Sequence, residues 1–352
     1  MEAHSALKRR NGKVIASRSS NNMEAYSSWT RVKVIGNGSF GRVYLAISSG
    51  DTLIPSTIAV KSAGFYRCKS LRNEMYFLRQ LQGCPHVIGC FGVDFTEKGG
   101  KVIYNILLEY AEAGSLANRI RQFNLGRCRG LPEAEAKDHA RSVLLGLLHM
   151  HSLGIVHCDI KPGNILLVGP RGSGKAAAKI ADFGLALQES QSDKNTNSGR
   201  LRGTPIYMAP EVVLDEQYGP AADIWSFGCT VFEVITGKTV WELDEDIYVL
   251  CKIRLESPNI CSNKLSRQAE DFLRKCLVRD PRVRWTAEDS DMNSFFVYAD
   301  DLLEFITHTA RFEPQVYVMH TGDLFNLKNA CAGTTYCRLE VPDANSGNEQ
   351  AT

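Results

Sequence analysis

The chain has 352 residues with 44% hydrophobic side chains, and its 41 basic and 39 acidic residues leave a formal net charge of +2. This composition is typical of a globular protein, and the length suggests about two domains. The balanced charge excludes the strongly basic character of general nucleic-acid binders and of polybasic membrane-surface proteins, so we expect neither nucleic acid nor a membrane as a partner.

The cysteines indicate a reducing compartment. All 11 are scattered, without a C-x-x-C pair, and the N-terminus has no apolar stretch like a secretory signal. No run approaches the ~18 apolar residues of a membrane-spanning helix. We therefore expect a cytoplasmic protein. Lys8-Arg9-Arg10 is a candidate nuclear address, although ordinary solvated charge is the favoured interpretation.

A glycine-rich motif opens the first predicted domain. Residues 1–28 are rich in Ser, Asn and charge and predict a flexible N-terminal arm. From Trp29 the pattern is strand, turn, strand, with Gly36-Asn37-Gly38-Ser39-Phe40-Gly41 in the turn. A dinucleotide-binding G-x-G-x-x-G motif is followed by a helix, whereas Val43 and the alternation around it indicate a second strand. This favours a hairpin that covers phosphates, with a plain hairpin as the alternative.

The next strand and helix carry opposite charges. The strand 57–61 ends in Lys61, and a helix is predicted over 70–81 with Ser70 as its N-cap. Glu74 lies on the inward stripe of this helix, and a buried acid is costly unless it is paired. We expect Lys61 to be its partner; the alternative is a glutamate that reaches solvent. The inward stripe consists of Leu71, Met75 and Leu78.

A crossover follows the buried strand predicted over 101–110. The residues Ala113-Gly114-Ser115-Leu116 end this strand, and a loop and a short helix are predicted there. The segment Glu109-Tyr110-Ala111 therefore suits a hinge between two lobes, where backbone groups can bind a purine edge. A later amphipathic helix ends before Gly154 and leads into the loop 157–164.

The loop His157-Cys158-Asp159-Ile160-Lys161-Pro162-Gly163-Asn164 combines an acid, a cation and an amide. Asp159 can orient a substrate hydroxyl and accept its proton, Lys161 can neutralise a transferring phosphoryl group, and Asn164 can ligate Mg²⁺. A second acid follows an apolar strand, in Ala181-Asp182-Phe183-Gly184. Two acids at opposite ends of a hairpin can converge on one site.

A possible phosphate-binding loop lies between these two acids. The segment 169–176 matches the P-loop pattern except at Ala176, which has no hydroxyl to hold Mg²⁺. It also links two strands, whereas a P-loop opens a helix. We predict an exposed turn here.

The segment 185–205 is polar and is predicted to be mobile unless something orders it. After it, 222–235 is apolar nearly all round, as in a helix buried within a large domain. Asp223 is expected to cap this helix and to brace the backbone of the loop 157–164. Arg284 is the expected buried partner of Glu211. The hydroxyl side chains of the polar segment include Ser190, Ser192, Thr196 and Ser198.

Taken together, the motifs resemble a eukaryotic protein kinase domain over 29–297, preceded by the arm and followed by a tail at 298–352. The resemblance implies an α+β fold with two lobes: a small antiparallel β-sheet lobe with one helix at about 29–110 and a larger, mainly α-helical lobe at about 111–297. It implies ATP and Mg²⁺ in the cleft. It is carried by Gly36-x-Gly38-x-x-Gly41-x-Val43, Lys61, Glu74, Asp159, Lys161, Asn164, Asp182-Phe183-Gly184, Ala209-Pro210-Glu211, Asp223 and Arg284.

The resemblance also implies roles for individual residues. Lys61 would pair with the α/β-phosphates and with Glu74, Asn164 and Asp182 would hold the metal, and Asp159 would be the catalytic base beside Lys161. Adenine would lie between apolar side chains, next to a gatekeeper at Leu108 and the hinge. The implied nucleotide contacts are Ile35, Gly36, Gly38, Gly41, Val43, Ala59, Lys61, Leu108, Glu109, Ala111 and Leu166.

Two features narrow the resemblance. Lys161 together with Gly203-Thr204-Pro205 is similar to serine/threonine kinases. Cys158 replaces the usual arginine before the catalytic acid and cannot form a bidentate pair with a phosphorylated activation segment. The His157-Cys158-Asp159 form of the loop, together with the segment from Gly203 to Glu211, resembles plant MEKK-type MAP kinase kinase kinases. This resemblance implies a MAP kinase kinase as substrate in stress or hormone signalling. The alternatives are a pseudokinase scaffold, a kinase of another subfamily and a P-loop NTPase.

Overall fold

The computed structural model describes residues 8–10, 13–15, 29–38, 41–49, 54–124, 130–169, 176–190, 201–241, 246–291 and 294–296. The chain divides into two compact units, Met1–Phe296 and Val297–Thr352, and every element described below belongs to the first. Most of the predicted arm, most of the turn between the two acids, the segment 191–200 and the predicted tail lie outside the described residues.

The described strands and helices follow the order that the motifs suggest. The strands are β1 (Lys8–Arg10), β2 (Lys13–Ile15), β3 (Trp29–Gly38), β4 (Gly41–Ser48), β5 (Thr57–Gly64), β6 (Cys90–Lys98), β7 (Lys101–Glu109), β8 (Ile155–Val156), β9 (Ile165–Val168), β10 (Ala177–Ile180) and β11 (Leu187–Gln188). The helices are α1 (Lys69–Gln80), α2 (Leu116–Asn124), α3 (Glu133–Ser152), α4 (Pro210–Asp215), α5 (Pro220–Thr236), α6 (Asp246–Leu255), α7 (Arg267–Cys276) and α8 (Ala287–Asp291).

The smaller lobe is built on a five-stranded antiparallel sheet in the order β3-β4-β5-β7-β6. β3 pairs directly with β4 across the glycine-rich turn, so the predicted hairpin is present. The register sets Val43 opposite Lys61 and Ala59 opposite Leu108. Paired residues, and residues two apart on one strand, share a face of the sheet. All four side chains therefore lie on the same face.

Helix α1 packs against this sheet through the predicted stripe, but it begins differently. Its N-cap residue is Cys68, whose carbonyl oxygen accepts the Arg72 N–H at 2.9 Å. The Ser70 hydroxyl is buried without a hydrogen-bond partner. The expectation that Ser70 caps the helix is therefore wrong, because the chain has already turned at Cys68. The buried stripe contains Leu71, Met75 and Leu78.

Helix α5 lies at the centre of the larger lobe, with α3 and α7 packed against it. Ile224, Trp225 and Phe227 have no exposed surface, as the apolar pattern predicted. The N-cap residue is Gly219, and no side chain caps the helix. Asp223 therefore does not serve as the expected cap, because its carboxylate turns toward the loop after β8.

Two short antiparallel pairs place the two predicted acidic loops side by side. The chain leaves β8 at Val156 and enters β9 at Ile165; later it leaves β10 at Ile180, passes Asp182 and enters β11 at Leu187. β9 pairs with β10, and β8 pairs with β11. Because the strands that flank one loop pair with those that flank the other, the two loops are neighbours.

The expected ion pair between Arg284 and Glu211 is present and buried in the larger lobe. Arg284 Nη1 lies 2.6 Å from Glu211 Oε1, and Nη2 lies 2.9 Å from Oε2. The side chain of Arg284 is 0% exposed and also donates to the carbonyl oxygens of Val278, Ala221 and Arg279.

Among the described helices, none has both the length and the apolar character required to cross a membrane.

Removing Arg284 should destabilise the protein strongly. Arg284→Ala leaves the Glu211 carboxylate buried without its partner, which should lower the free energy of unfolding by about 3–5 kcal/mol. Urea unfolding followed by circular dichroism measures this. Arg274→Ala is the matched control, because Arg274 pairs with Glu270 on the surface of α7 and its loss should leave the midpoint nearly unchanged. Equal midpoints for the two variants would contradict a structural role for the buried pair.

Candidate active site

Lys61 joins three elements that are distant in sequence. Its Nζ lies 2.6 Å from Glu74 Oε2 on α1 and 2.8 Å from Asp182 Oδ1 after β10. The Lys61 and Glu74 side chains are 7% and 1% exposed. The ion pair expected from the sequence is thus present, with Asp182 as a second acid on the same cation.

The electrostatics of this cluster favour a charged lysine and a charged Asp182. Burial by itself would lower the pKa of Lys61, but the nearby carboxylates of Glu74 and Asp182 outweigh burial and leave it raised. Burial also acts to raise the pKa of Asp182, yet the charge and hydrogen bond of Lys61 hold it below its ordinary value. Glu74 is the more deeply buried of the two acids in this cluster, and burial raises its pKa against the opposing effect of Lys61.

A buried carboxylate from α5 holds the loop 157–164. Asp223 accepts the backbone N–H groups of His157 at 2.8 Å and Cys158 at 2.9 Å, and His151 Nε2 lies 3.1 Å from it. Cys158 has φ of 67°, a left-handed conformation that non-glycine residues rarely adopt. The bracing predicted for Asp223 is therefore present and stabilises a strained turn. The contact from His151 had no sequence signal.

The ring of His157 connects the two acidic loops. Its Nδ1 accepts the N–H of Asp159 at 3.2 Å, so its proton is on Nε2, which lies 3.1 Å from the carbonyl oxygen of Ala181. The ring also packs against Phe183 in an edge-to-face pair, with centroids 4.9 Å apart. His157 therefore fixes the distance between the candidate base and the segment that carries Asp182.

Both carboxylate oxygens of Asp159 are held by donors. Oδ2 accepts from Lys161 Nζ at 2.8 Å and from Asn164 Nδ2 at 2.8 Å, and Oδ1 accepts the Thr204 hydroxyl at 2.7 Å. Lys161 Nζ also donates to Thr204 Oγ1 at 2.6 Å. This arrangement orients an acid beside a cation, which suits general-base catalysis next to a group that develops negative charge.

The donor set fits a magnesium ion that is shared with phosphates. Asn164 donates both amide hydrogens to Asp159, to its carbonyl oxygen and to Oδ2, so the amide oxygen is the atom left for a cation. About a third of the Asp182 side chain, 34%, is exposed. Among the described residues, no group of three or more His, Cys, Asp or Glu could hold a metal ion alone. Mg²⁺ commonly binds one or two protein oxygens together with substrate phosphates.

The residues predicted to contact adenine line the same region. Val43, Ala59 and Leu108 share one sheet face, and an antiparallel bridge between Ser115 and Leu166 sets β9 beside the hinge loop. Among the other predicted contacts, Ile35 is 41% exposed at the end of β3 toward the turn, with Gly36 and Gly38 on the same strand. Ala111 follows β7 and its carbonyl accepts the Gly114 N–H.

Gly41 allows a close backbone approach at the glycine-rich hairpin. Its φ is 154°, and an added Cβ would lie 2.5 Å from the carbonyl oxygen of Ser62. Gly203 does the same beside the loop 157–164: its φ is 112°, and a Cβ would lie 2.5 Å from the carbonyl oxygen of Cys158. Any side chain at Gly203 would push Thr204 away from Asp159, which explains the glycine before that threonine.

The side chain of Glu109 makes contacts that sequence reasoning missed. It was expected to offer its backbone to a purine, but its carboxylate oxygens lie 2.8 and 3.0 Å from Lys179 Nζ on β10. Oε2 also accepts the Gly89 N–H at 2.9 Å. The hinge is thus tied to the strand that leads into Asp182, through partners whose positions along the chain carry no motif.

The thiol of Cys158 should be unreactive in the folded protein. Burial, with a further contribution from the Asp223 carboxylate, raises the pKa of this thiol well above its ordinary value, so little thiolate forms at neutral pH. We expect iodoacetamide to label Cys158 at least about tenfold more slowly than the exposed Cys251 and Cys261, as measured by peptide mass spectrometry. Labelling in urea is the control. Equal rates in the folded protein would show a reactive thiol at the site.

Comparison with known proteins agrees with this geometry. The family model described as a protein kinase domain matches residues 29–296. The chain is 44% identical over 281 residues to mitogen-activated protein kinase kinase kinase 20 of Arabidopsis thaliana, covering 77% of this chain and 79% of that relative. It is 39% identical over 284 residues to mitogen-activated protein kinase kinase kinase 18 of the same plant, covering 77% and 78%. For mitogen-activated protein kinase kinase kinase 17, the identity is 36% over 282 residues, covering 78% and 71%.

The two-lobed α+β fold, the match to the family model and the relatives lead to one assignment. The chain belongs to the protein kinase family, and it is a serine/threonine protein kinase similar to the plant MEKK-type MAP kinase kinase kinases.

Proposed function

We propose that this kinase transfers the γ-phosphoryl group of ATP to Ser or Thr residues of a MAP kinase kinase. The observation that carries the proposal is that Lys61 on β5 pairs with Asp182, whose loop neighbours the loop that carries the hydrogen-bonded Asp159. The names of the relatives support the choice of substrate. Membership of the family implies the use of ATP, generally with Mg²⁺.

Each part of the site has a separate task in this proposal. Bound ATP with its metal supplies the transferable phosphoryl group. Lys61 holds the phosphates, while Asn164 and Asp182 offer oxygen ligands to the metal. Asp159 orients the substrate hydroxyl and accepts its proton at the carboxylate. Lys161 stabilises the negative charge that develops beside it.

The apolar residues and the glycines complete the nucleotide site. The purine is proposed to lie between Val43 and Ala59 on one side and Leu166 on the other, with its edge at the hinge backbone. The glycine-rich hairpin covers the phosphates with backbone N–H groups.

We propose that the protein acts in the cytoplasm, in stress or hormone signalling. The eight described cysteines are all free, which supports a reducing compartment. Lys8-Arg9-Arg10 remains a candidate nuclear address, with ordinary solvated charge as the favoured interpretation.

The proposal is tested with the purified full chain and a panel of inactive MAP kinase kinases. We expect phosphorylation of Ser or Thr in at least one member, identified by mass spectrometry. Asp159→Asn should lower kcat by about 10²- to 10⁴-fold, because the hydroxyl proton loses its acceptor. Lys175→Ala should retain activity, since the segment 169–176 lacks the hydroxyl of a P-loop.

Three outcomes would contradict the proposal. Phosphorylation of a generic basic protein without any member of the panel would indicate another kinase subfamily. The absence of transfer to any substrate would indicate a scaffold. Loss of nucleotide turnover in Lys175→Ala, with turnover retained in Lys61→Ala, would indicate a P-loop enzyme.

Activity should depend only weakly on phosphorylation of the polar segment. Cys158 offers no cation for a phosphate, so replacing Ser190, Ser192, Thr196 and Ser198 together by Ala should lower kcat by less than about tenfold. Steady-state assays on the wild type, before and after phosphatase treatment, provide the control. Complete loss of activity in the quadruple variant would show that the segment needs a phosphate after all.

A further inference from the structure

Asn73 lies in α1, and its side chain reaches the segment that follows Asp182. The amide nitrogen is 2.8 Å from the carbonyl oxygen of Ala186, 3.2 Å from that of Phe183 and 3.3 Å from that of Gly184. The contact with Phe183 joins positions 110 residues apart. A single side chain thus holds three backbone groups of a distant segment.

Only a donor at this position can satisfy the three carbonyl oxygens. The amide group has two hydrogens, so two of the three carbonyl oxygens share one of them, whereas an oxygen would meet only other acceptors. The residues Phe183–Leu185 form one short 3-10 turn, in which the Phe183 carbonyl also accepts the Ala186 N–H at 3.1 Å. Phe183 and Ala186 are 0% and 1% exposed, so a lost donor is not easily replaced by bulk water.

The same turn determines where the Asp182 carboxylate points. Asp182 has φ of 67°, a left-handed conformation that costs free energy. Contacts from the neighbouring structure must offset this cost. Lys61 holds the side chain of Asp182, and Asn73 holds the backbone immediately after it. Asn73 directly precedes Glu74, so α1 contacts this segment directly through Asn73 and is linked to Asp182 through Glu74 and Lys61.

We propose that Asn73 is a positioning residue that fixes the backbone after Asp182 and so aligns the metal-facing carboxylate with α1. The inference rests on the proposed role of Asp182 as a metal ligand. The contact uses a neutral amide and requires no phosphate. The Asn73 contact therefore orders residues 183–186 without a phosphate, in a kinase whose Cys158 cannot pair with a phosphorylated residue.

Three variants test the proposal in the full chain. Asn73→Asp keeps the shape of the side chain but sets a carboxylate against three carbonyl oxygens. Asn73→Ala removes the donor without adding charge, and remains informative if the first variant does not fold. Gln80→Glu is the matched control: it makes the same change from amide to acid on α1, at an exposed residue whose amide contacts the Tyr76 carbonyl at 3.5 Å.

Two measurements separate positioning from general stability. Hydrogen exchange without nucleotide should become faster for the peptide 183–188 in both Asn73 variants, and by more than for the other peptides of the same variant, which report general stability. With a generic basic protein as substrate, Asn73→Asp should lower kcat by about 10- to 100-fold. A misplacement of about 1 Å at a reacting centre can lower the rate by about 10²-fold. Asn73→Asp should also raise the Mg²⁺ concentration that gives half-maximal rate. Gln80→Glu should match the wild type in both measurements.

The outcomes are decisive in either direction. The proposal is overturned if hydrogen exchange at 183–188 is unchanged in Asn73→Ala, or if Asn73→Asp retains the wild-type kcat and Mg²⁺ dependence. It is also overturned if Gln80→Glu causes the same losses, since added charge on α1 would then be the cause. The generic substrate keeps the result separate from the choice of a MAP kinase kinase as substrate.

Discussion

The active site depends on one buried cation between two carboxylates. Lys61 comes from β5, Glu74 from α1 and Asp182 from the chain after β10. The lysine and the glutamate would each be costly to bury alone, because a charge loses its hydration in the interior, whereas Asp182 keeps about a third of its side chain exposed. The three become stable together only when all three elements are docked. The geometry required for phosphoryl transfer is therefore also a condition for burying the charges.

A second constraint is the strained backbone on both sides of this cluster. Cys158 and Asp182 each have φ of 67°, and each lies within a turn that other parts of the fold hold. For Cys158 the support is the carboxylate of Asp223 on α5, and for the turn after Asp182 it is the amide of Asn73 on α1. Buried helices thus stabilise conformations that the loop residues would not adopt alone.

Local patterns predicted most of the elements but not the caps of α1 and α5. Apolar periodicity indicated α1 and α3, a segment that is apolar nearly all round indicated α5, and β-type alternation indicated β3 and β4. The caps expected at Ser70 and Asp223 were wrong. A side chain that can cap a helix can equally bind another element, and its choice depends on what packs nearby. At Asp223 the loop backbone offers two donors, so the carboxylate turns there.

Residue types and their spacing are enough to identify the chemical groups of the site and their order, because a lysine, two acids and an amide at motif spacing can be read directly. The partners of Asn73 and Glu109, in contrast, depend on the tertiary fold. The amide of Asn73 binds backbone carbonyl groups 110 to 113 residues away, and Glu109 binds a lysine 70 residues away. Every residue has a carbonyl group, so no local pattern identifies the one that folding will bring within hydrogen-bond distance.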